Sequence, residues 1–381
     1  MYKKFYSRFL EAAPGRLHFA AHSHHCWPDP ARDAHIACFD DAARLADEKW
    51  GKIFGEVLPE ARRNAADALG LPRPESIAFA PNTHEFVVRL LSCLDFSRPV
   101  RILTTDSEFH SFARQAARLE EFPGVSIERV CVDPIDSFED RFSAAAAKGG
   151  HALVFFSHVF FNSGLRVLGL DRLVSSVPDP ATLVAVDGYH AFCAFPVDLS
   201  AIQNRAFYLA GGYKYAQAGE GVCLMHVPAS AERLRPAATG WFADFSSLET
   251  GARSPVDYGP EGFRFMGSTF DPSGLYRFNA VMAWRRETGL SIEAGDAFVR
   301  NLQRRFLASD IPLLPKSALF CSDLDRIGHF LTYVLPDAAE VCEKLKKNKV
   351  MTDFRGDRLR FGFGLYHDEN DVDALVARLR D

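Results

Sequence analysis

The first group that could do chemistry is Lys214, within residues 211–215 (Gly-Gly-Tyr-Lys-Tyr). An apolar run at residues 206–210 precedes the glycines, which would end a strand and allow a tight turn that presents the lysine. A partly buried lysine amine has a lowered pKa and can form a Schiff base with a carbonyl group. Alone this signal is weak, because a lysine after a strand is usually a solvated surface group.

An acid ends another apolar run. Asp187 directly follows residues 182–186, and His190 comes three positions later. A carboxylate there would be desolvated, so we expect it to have a cationic partner. An aspartate at a strand end is also often only a helix cap, which leaves this signal weak when it is taken by itself.

A third apolar run, residues 76–80, precedes Thr83 and His84 at the start of a predicted helix. The free N–H groups and the dipole at a helix N-terminus favour a phosphate. An amine, an acid and a helix N-terminus are together what pyridoxal 5′-phosphate (PLP) needs for its aldehyde, ring nitrogen and phosphate. The combination therefore predicts a PLP site.

The elements that must position these groups follow from the apolar spacing. Short apolar runs alternate with helical segments, which predicts a parallel, doubly wound α/β sheet with ligands outside the carboxyl ends of its strands. Residues 29–69 have helical spacing with a break around Gly51, which predicts two helices. We predict a segment at 1–24 that packs with the small domain, a large PLP-binding α/β domain at 25–274, and a small C-terminal α+β domain at 275–381.

Composition excludes several classes of partner. The 381-residue chain has a formal charge of -5 and no run rich in lysine or arginine, so we expect no nucleic-acid partner. No segment resembles a signal peptide or a membrane span, which predicts a cytoplasmic protein without a membrane partner. The eight cysteines are scattered and read as reduced thiols. The histidines of residues 22–25 lack metal-ligand spacing, so we predict a cleft-lining loop and no metal.

The Asp-x-x-His pair followed by the Gly-Gly-Tyr-Lys-Tyr segment resembles the cofactor motif of the class V aminotransferase family, which has PLP fold type I. Within that family, residues 240–242 (Gly-Trp-Phe) and 213–215 (Tyr-Lys-Tyr) are most similar to kynureninase-like proteins. The resemblance extends from about residue 22 to residue 360. It implies a mainly parallel, seven-stranded sheet in the large domain.

The resemblance implies a role around the PLP ring for each matching residue. Lys214 would form the Schiff base and move protons at the α-carbon of the substrate. Asp187 would pair with the pyridinium nitrogen, and His190 would reach the phenolic oxygen. Phe109 would stack on the ring, with His110 as the fallback for that position.

The same resemblance assigns the phosphate and the subunit arrangement. Thr83 and His84 would donate to the phosphate, and Tyr213 would add its hydroxyl. Thr269 resembles a residue that reaches across a dimer interface to the phosphate of the partner. We therefore expect a homodimer with shared active sites.

The substrate implied by the resemblance is an amino acid, a small-molecule partner. Arg360 would bind its α-carboxylate through a bidentate pair. Asn162 resembles a residue in a loop beside the cofactor, while Trp241 and His22 would help to form the substrate pocket.

The reaction itself stays open at this point, with a kynureninase-like hydrolase as the first hypothesis. Residues 50–71 look too short for the substrate-ring loop of kynureninase, and Gly267 with Ser268 replaces its asparagine. A class V aminotransferase or lyase acting on another amino acid is the alternative. A cysteine desulfurase is disfavoured, because residues 350–357 contain no cysteine. A PLP-binding scaffold without turnover is a third hypothesis, although a scaffold would not need Lys214, Asp187 and Arg360 together.

Overall fold

A seven-stranded sheet forms the centre of the computed structural model, which describes residues 2–245 and 255–380. The strands in chain order are β1 Leu17–His18, β2 Ile77–Ala80, β3 Val100–Thr105, β4 Val125–Val130, β5 Leu153–Ser157, β6 Leu183–Asp187, β7 Phe207–Gly211, β8 Cys223–His226, β9 Phe330–Val334, β10 Val350–Met351, β11 Asp353–Arg355 and β12 Arg358–Gly362. The order across the central sheet is β2-β8-β7-β6-β5-β3-β4. Its strands run parallel except β8, which is antiparallel to both neighbours. The predicted mainly parallel, seven-stranded α/β sheet is confirmed.

The central strands are buried along their whole length, which explains why they read as continuous apolar runs. β5 (Leu-Val-Phe-Phe-Ser) and β6 (Leu-Val-Ala-Val-Asp) have no exposed residue. Strands that helices cover on both faces require apolar side chains on both faces. The ring of Phe112 stacks on that of Phe155 in β5, with 3.7 Å between centroids. The polar residues at the strand ends therefore stand out against an apolar layer.

Helices cover both faces of this sheet. In chain order they are α1 Ser7–Glu11, α2 Asp29–Leu45, α3 Lys49–Lys52, α4 Leu58–Ala68, α5 Thr83–Leu91, α6 His110–Leu119, α7 Phe138–Ala146, α8 Leu170–Ser175, α9 Ser273–Glu287, α10 Ile292–Leu307, α11 Ala338–Lys347 and α12 Glu369–Arg380. In the part of the chain that the structure describes, none of them combines the length and apolar character that crossing a membrane requires.

The predicted helix break around Gly51 is wrong. α2 ends at Leu45, and Ala46 takes a φ of 49°. From Lys49 the chain stays helical through α3, a π-helical turn at Ile53–Val57 and α4. Glycine inside a helix costs only about 1 kcal/mol relative to alanine, so a single glycine does not end a helix that packs well on both sides.

The C-terminal part has its own antiparallel sheet, in the order β11-β12-β9. The N-terminal segment lies against this part, since β1 pairs with β10 and Ala20 bridges to Gly362. α9 packs against α2 and α4, so the first helix of the predicted small domain contacts helices of the predicted large domain. The domain boundaries stay a prediction.

Candidate active site

A small cavity lies beyond the carboxyl ends of β5, β6 and β7. Its walls are formed by Thr83, Phe109, Ser157, Val159, Phe161, Asp187, Tyr189, His190, Tyr213 and Lys214. Parallel strands end at the same edge of a sheet, which is why residues distant in sequence meet here. Six of the predicted site residues thus share one cavity, namely Thr83, Phe109, Asp187, His190, Tyr213 and Lys214.

Lys214 is buried, and its amine has two close partners. Nζ donates to the main-chain oxygen of His22 at 2.7 Å and lies 3.1 Å from Nε2 of His190. Burial, reinforced by the nearby charge of Arg360, lowers the pKa of Lys214 to about 7. Near neutral pH a large fraction of this amine is therefore unprotonated, which is the nucleophilic form.

The turn that presents Lys214 depends on glycine at the end of β7. The hydroxyl of Tyr189 occupies the space where a side chain on Gly211 would begin. The Val222 side chain and the Gly219 carbonyl lie similarly close to Gly212. After the lysine, Gln217 turns the chain with a φ of 59° and donates from its backbone to the Lys214 carbonyl. Close packing on both sides of the turn fixes the lysine toward the cavity.

Asp187 is the last residue of β6, and its carboxyl is buried. Its Oδ1 accepts from the backbone N–H of Tyr189 at 2.9 Å. No hydrogen bond from the described residues reaches Oδ2, so this oxygen is available to a donor in the cavity. Burial raises the pKa of Asp187 to about 6, against the opposing effects of the Tyr189 N–H and Lys214. A cationic N–H at Oδ2 would favour the ionised carboxylate.

His190 follows Asp187 at the cavity wall. Its Nε2 faces Lys214, while its Nδ1 is buried and has no partner among the described residues. Burial, together with Lys214, lowers the pKa of His190 well below its usual value. A neutral imidazole whose Nε2 faces Lys214 fits hydrogen bonding to a ligand in the cavity.

α5 directs its N-terminus at the same cavity. Asn82 caps the helix, because its side-chain oxygen accepts from the Glu85 backbone N–H at 3.1 Å. The backbone N–H groups of Thr83 and His84, in the first turn, have no partner within the helix. Thr83 is buried and lines the cavity, whereas the side chain of His84 is exposed and does not. Helix geometry therefore offers an anion site at Thr83.

Arg360, in β12, is buried and forms an ion pair with Asp353, a residue that the sequence analysis did not single out. Its Nε and Nη2 donate to the two oxygens of Asp353 at 2.9 Å and 2.6 Å. Asp353 lies directly across the hairpin from Arg360, in register with it. The sequence does contain a signal for this pairing. Asp353 and Arg360 are equally far from residues 356–357 (Gly-Asp), which are typical of a two-residue hairpin turn. His22 donates to the same carboxylate at 2.7 Å.

Glu108 is a second buried acid that the sequence analysis did not single out. Thr105 Oγ1 and Ser157 Oγ each donate to it at 2.6 Å, and burial raises its pKa to about 8. It precedes Phe109, whose ring centroid is 6.0 Å from Lys214 Nζ. The position of Glu108, three residues after the end of β3, was the signal that could have identified it. Its contacts make it a support for the cavity wall.

Four more of the predicted residues, Asn162, Trp241, Thr269 and His110, do not line the cavity. Asn162 donates to Ser107 Oγ at 3.3 Å and keeps a buried Oδ1 without a partner in the described residues. Trp241 is 41% exposed, and its Nε1 donates to Oγ1 of the exposed Thr269 at 3.2 Å. His110 is exposed at the start of α6. Trp241 and Thr269 form a surface pair outside the cavity, whereas Trp241 was predicted to line the substrate pocket and Thr269 to reach the phosphate of a partner subunit.

The histidines of residues 22–25 are engaged in different ways. The ring nitrogens of His25 bond the Cys26 carbonyl and the Leu365 N–H, while His24 is exposed and stacks on Tyr213. Across residues 2–245 and 255–380, no group of three or more histidine, cysteine, aspartate or glutamate side chains is arranged to hold a metal ion.

Comparison with protein families gives two matches. The model described as aminotransferase class-V matches residues 42–308, and the model described as kynureninase C-terminal domain matches residues 291–379. The first match covers more than half of the chain. A comparison with curated protein sequences found no significant match.

Solved structures resemble the chain over nearly its full length. One is a C-DES mutant with glycine covalently linked to the PLP cofactor, with 18% identity, a TM-score of 0.81, and coverage of 98% of this chain and 99% of that one. The cystine C–S lyase C-DES with its product cysteine persulfide has 19% identity, a TM-score of 0.80 and coverage of 97% and 99%. Apo cysteine desulfurase from Thermococcus onnurineus NA1 has 18% identity, a TM-score of 0.76 and coverage of 96% and 94%. At these identities the likeness shows the shared fold.

Proposed function

Because the chain belongs to the aminotransferase class-V family of PLP-dependent enzymes, we propose that it is a kynureninase-like hydrolase acting on an α-amino acid. The observation that carries the proposal is Arg360, a buried residue whose charge acts on Lys214 and which lies within the stretch that matches the kynureninase C-terminal domain. A fixed guanidinium near the reactive amine supports an amino-acid carboxylate as the group recognised.

The cavity residues of this chain fit PLP. Oδ2 of Asp187 is free to accept from a ring nitrogen, and the partly neutral amine of Lys214 suits an aldehyde. The free N–H groups at Thr83 and His84 suit a phosphate. In this proposal Phe109 lies against the ring face, His190 hydrogen bonds its phenolic oxygen, and Tyr213 adds a donor to the phosphate. When bound, PLP supplies an electron sink for the α-carbon of the substrate.

Lys214 then acts as the base and acid at that α-carbon. Its lowered pKa lets the amine take up and return a proton near neutral pH. The His22 carbonyl at 2.7 Å holds Nζ beside the cavity before substrate binds. Asp187 keeps its negative charge as long as it is paired with a protonated ring nitrogen, which supports electron withdrawal from the α-carbon.

The proposed reaction is hydrolysis of the bond between the β and γ carbons of a side chain that carries a ketone at the γ carbon. The oxygen of water is added to the γ carbon, so that this part of the side chain departs as a carboxylic acid. A proton is added to the β carbon, and the rest of the substrate becomes alanine. Tyr213, at the cavity wall, suits a proton donor in this step. Trp241, Asn162 and His22 complete the substrate pocket in this proposal.

One observation argues against kynurenine as the substrate. A guanidinium nitrogen of Arg89 occupies the space where a side chain on Gly267 would begin. An asparagine, which kynureninase carries near this position, has no room here without moving Arg89. Residues 50–71 are occupied by α3, the π-helical turn and α4, and supply no extended loop over the site.

This observation favours a second candidate, a class V lyase or aminotransferase that acts on another amino acid. A desulfurase that needs a cysteine nucleophile before the carboxylate-binding arginine is disfavoured. The stretch before Arg360 is a tight hairpin, with Arg355 paired to Arg358, and it leaves no loop for such a cysteine.

The deciding experiment is to load the chain with PLP and follow its visible spectrum across a panel of amino acids, identifying products by mass spectrometry. Alanine together with a carboxylic acid, from a substrate with a γ-ketone, supports hydrolysis. A keto acid with pyridoxamine phosphate points to the aminotransferase. Release of the side-chain leaving group together with pyruvate and ammonia points to a lyase that eliminates at the β carbon.

The homodimer belongs to the same proposal. Trp241 and Thr269 form an exposed pair, and Phe39 of α2 is 73% exposed. Exposed aromatic side chains are enriched at subunit interfaces, where they become buried. In the proposed dimer Thr269 donates to the phosphate bound by the partner subunit.

A further inference from the structure

The hairpin of β11 and β12 places a carboxylate directly across from a guanidinium on the neighbouring strand. Asp353 pairs with Arg360 across the two strands, and only Gly356 and Asp357 form the turn. Gly356 has a φ of 59°, a conformation that glycine adopts without strain and that short hairpins require. Residues directly opposite in an antiparallel pair project to the same face of the sheet. The backbone therefore fixes the distance between these two side chains.

The ion pair uses one side of the arginine fork. Nε and Nη2 of Arg360 bond the two oxygens of Asp353, and Nη1 donates to the main-chain oxygen of Phe161. A guanidinium has five N–H groups, so one N–H on each terminal nitrogen remains. A second carboxylate can bind these two N–H groups without displacing Asp353.

His22 connects this pair to the reactive amine. Burial lowers the pKa of His22 to about 4, so its neutral ring donates from Nε2 to Asp353 at 2.7 Å. The main-chain oxygen of the same residue accepts from Lys214 Nζ at 2.7 Å. Asp353 thus holds two groups in place. One is Arg360, and the other is His22, whose main-chain oxygen accepts the hydrogen bond from Lys214.

Charge balance gives Asp353 a second effect on the same groups. Arg360 and Lys214 are both buried, and the charge of Arg360 opposes protonation of Lys214. Burial opposes ionisation of Asp353, but His22 and Arg360 overcome it and hold its pKa well below the usual range. Asp353 therefore stays ionised, and its negative charge pairs with Arg360 and favours the protonated form of Lys214.

We propose that Asp353 is a positioning residue, which holds one side of the Arg360 fork and directs the remaining N–H groups at the α-carboxylate of the substrate. This inference rests on the proposed function, because it assumes that Arg360 binds a substrate carboxylate. It adds a requirement on the substrate: the α-carboxylate must be free and ionised, since esters and amides cannot accept both charge-assisted bonds.

The test compares Asp353→Asn with Asp357→Asn in the PLP-loaded enzyme. Asp357 lies in the turn of the same hairpin, is exposed, and makes no side-chain contact within the part of the chain that the structure describes. The readouts are KM and kcat with the amino acid identified by the product screen. Calorimetric binding of benzoate, with the neutral benzamide as a second probe, gives a readout that does not depend on turnover.

We expect Asp353→Asn to raise both KM and the benzoate dissociation constant about 10- to 100-fold, the range for charge-assisted hydrogen bonds. The change in kcat should be smaller, and benzamide binding and the Asp357→Asn variant should match the wild type. Asp353→Glu keeps the charge, so its KM and benzoate dissociation constant should lie between those of the wild type and Asp353→Asn. It replaces Asp353→Asn in the test if that variant does not fold.

Two kinds of failure can be told apart. Unchanged benzoate binding in a folded Asp353→Asn variant overturns the positioning role, and tighter binding shows that Asp353 competes with the substrate. If the wild type does not take up PLP, or if Arg360→Ala leaves KM and benzoate binding unchanged, the proposed function is wrong and the inference falls with it.

Discussion

The hydroxyl of Tyr189 occupies the space where a side chain on Gly211 would begin, so the end of β7 and the loop after β6 pack without a gap. Gly211→Ala should therefore lower the free energy of unfolding by about 1–3 kcal/mol, as overpacking does, and displace Tyr189 from the cavity wall. Urea unfolding measures the first effect, and the affinity of the chain for PLP reports the second.

Gly51→Ala is the matched control for that substitution. A side chain at Gly51 would meet nothing within 4 Å, and the residue lies in α3. Alanine should stabilise this position by up to about 1 kcal/mol, because it has the higher helix propensity. Equal losses of stability in the two variants would contradict the packing described around Gly211.

Removing the reactive amine should abolish the cofactor chemistry and leave the fold intact. Lys214→Ala should lose the visible absorbance of the PLP adduct and lower activity by at least about 10²- to 10⁴-fold, the range for a general acid–base. Lys344→Ala, at an exposed position of α11, is the control and should behave as the wild type. A Lys214→Ala chain with an unchanged visible spectrum would falsify the assignment.

Asp187 should make PLP affinity depend on pH. The pKa of Asp187 is raised to about 6 in the chain alone, so its carboxyl becomes protonated as pH falls through that value. PLP affinity should then fall below about pH 6, because a neutral acid no longer pairs with a charged ring nitrogen. Asp187→Asn should weaken PLP binding about 10- to 100-fold at neutral pH and flatten the dependence. Absorbance titrations with PLP at several pH values measure the affinity of the wild type and of Asp187→Asn. If PLP affinity depends on pH in the same way in both, Asp187 does not pair with the ring nitrogen.

Acid should destabilise the fold through His25. Burial lowers the pKa of His25 to about 3, although its bond to the Cys26 carbonyl opposes this. The unfolded chain binds a proton near pH 6.5, so the stabilisation is complete above that pH and is lost as pH falls toward 3. Below about pH 6.5 the slope from this group is about 1.4 kcal/mol per pH unit.

His25→Gln should reduce that slope in urea unfolding measured between about pH 5 and 6.5, and it should also lower stability at neutral pH by removing two hydrogen bonds. His24→Gln is the control, since His24 is exposed in the same segment. An unaltered slope in His25→Gln would mean that other groups cause the acid sensitivity.

Shared active sites should show in mixed dimers. Lys214→Ala lacks the amine, and Thr269→Glu places a negative charge where the proposal puts a phosphate. A mixed dimer would have one site with both substitutions and one site with neither. Random mixing of equal amounts should therefore restore about one quarter of the wild-type activity from two inactive chains. No recovery, or a monomeric mass by light scattering, would contradict the shared site.

Local spacing was sufficient for the sheet and for much of the site. β5 and β6 are apolar along their length, and a polar residue that ends such a run stands out in one dimension. Asp187 and Thr83 could be placed at the cavity because parallel strands share one edge. The roles of these residues in binding PLP are still predictions.

What the sequence did not reveal depends on contacts across long distances. His22 meets Asp353 and Lys214 only because β1 pairs with β10, more than three hundred residues along the chain. Asp353 becomes the partner of Arg360 only through the register of the β11–β12 hairpin, which cannot be read from either residue alone. The helix break near Ala46 was missed because alanine with positive φ has no sequence signature.

The two-residue turn between β11 and β12 also limits how this enzyme can be redesigned. A cysteine placed to accept sulfur near Arg360 would need an inserted loop, because the two-residue turn leaves no loop in the hairpin to carry it. An insertion of odd length would shift the register and send Asp353 to the opposite face of its strand. Acquiring a sulfur acceptor and keeping the Asp353–Arg360 pair are therefore competing demands on one short piece of backbone, and a laboratory evolution experiment would have to lose one before gaining the other.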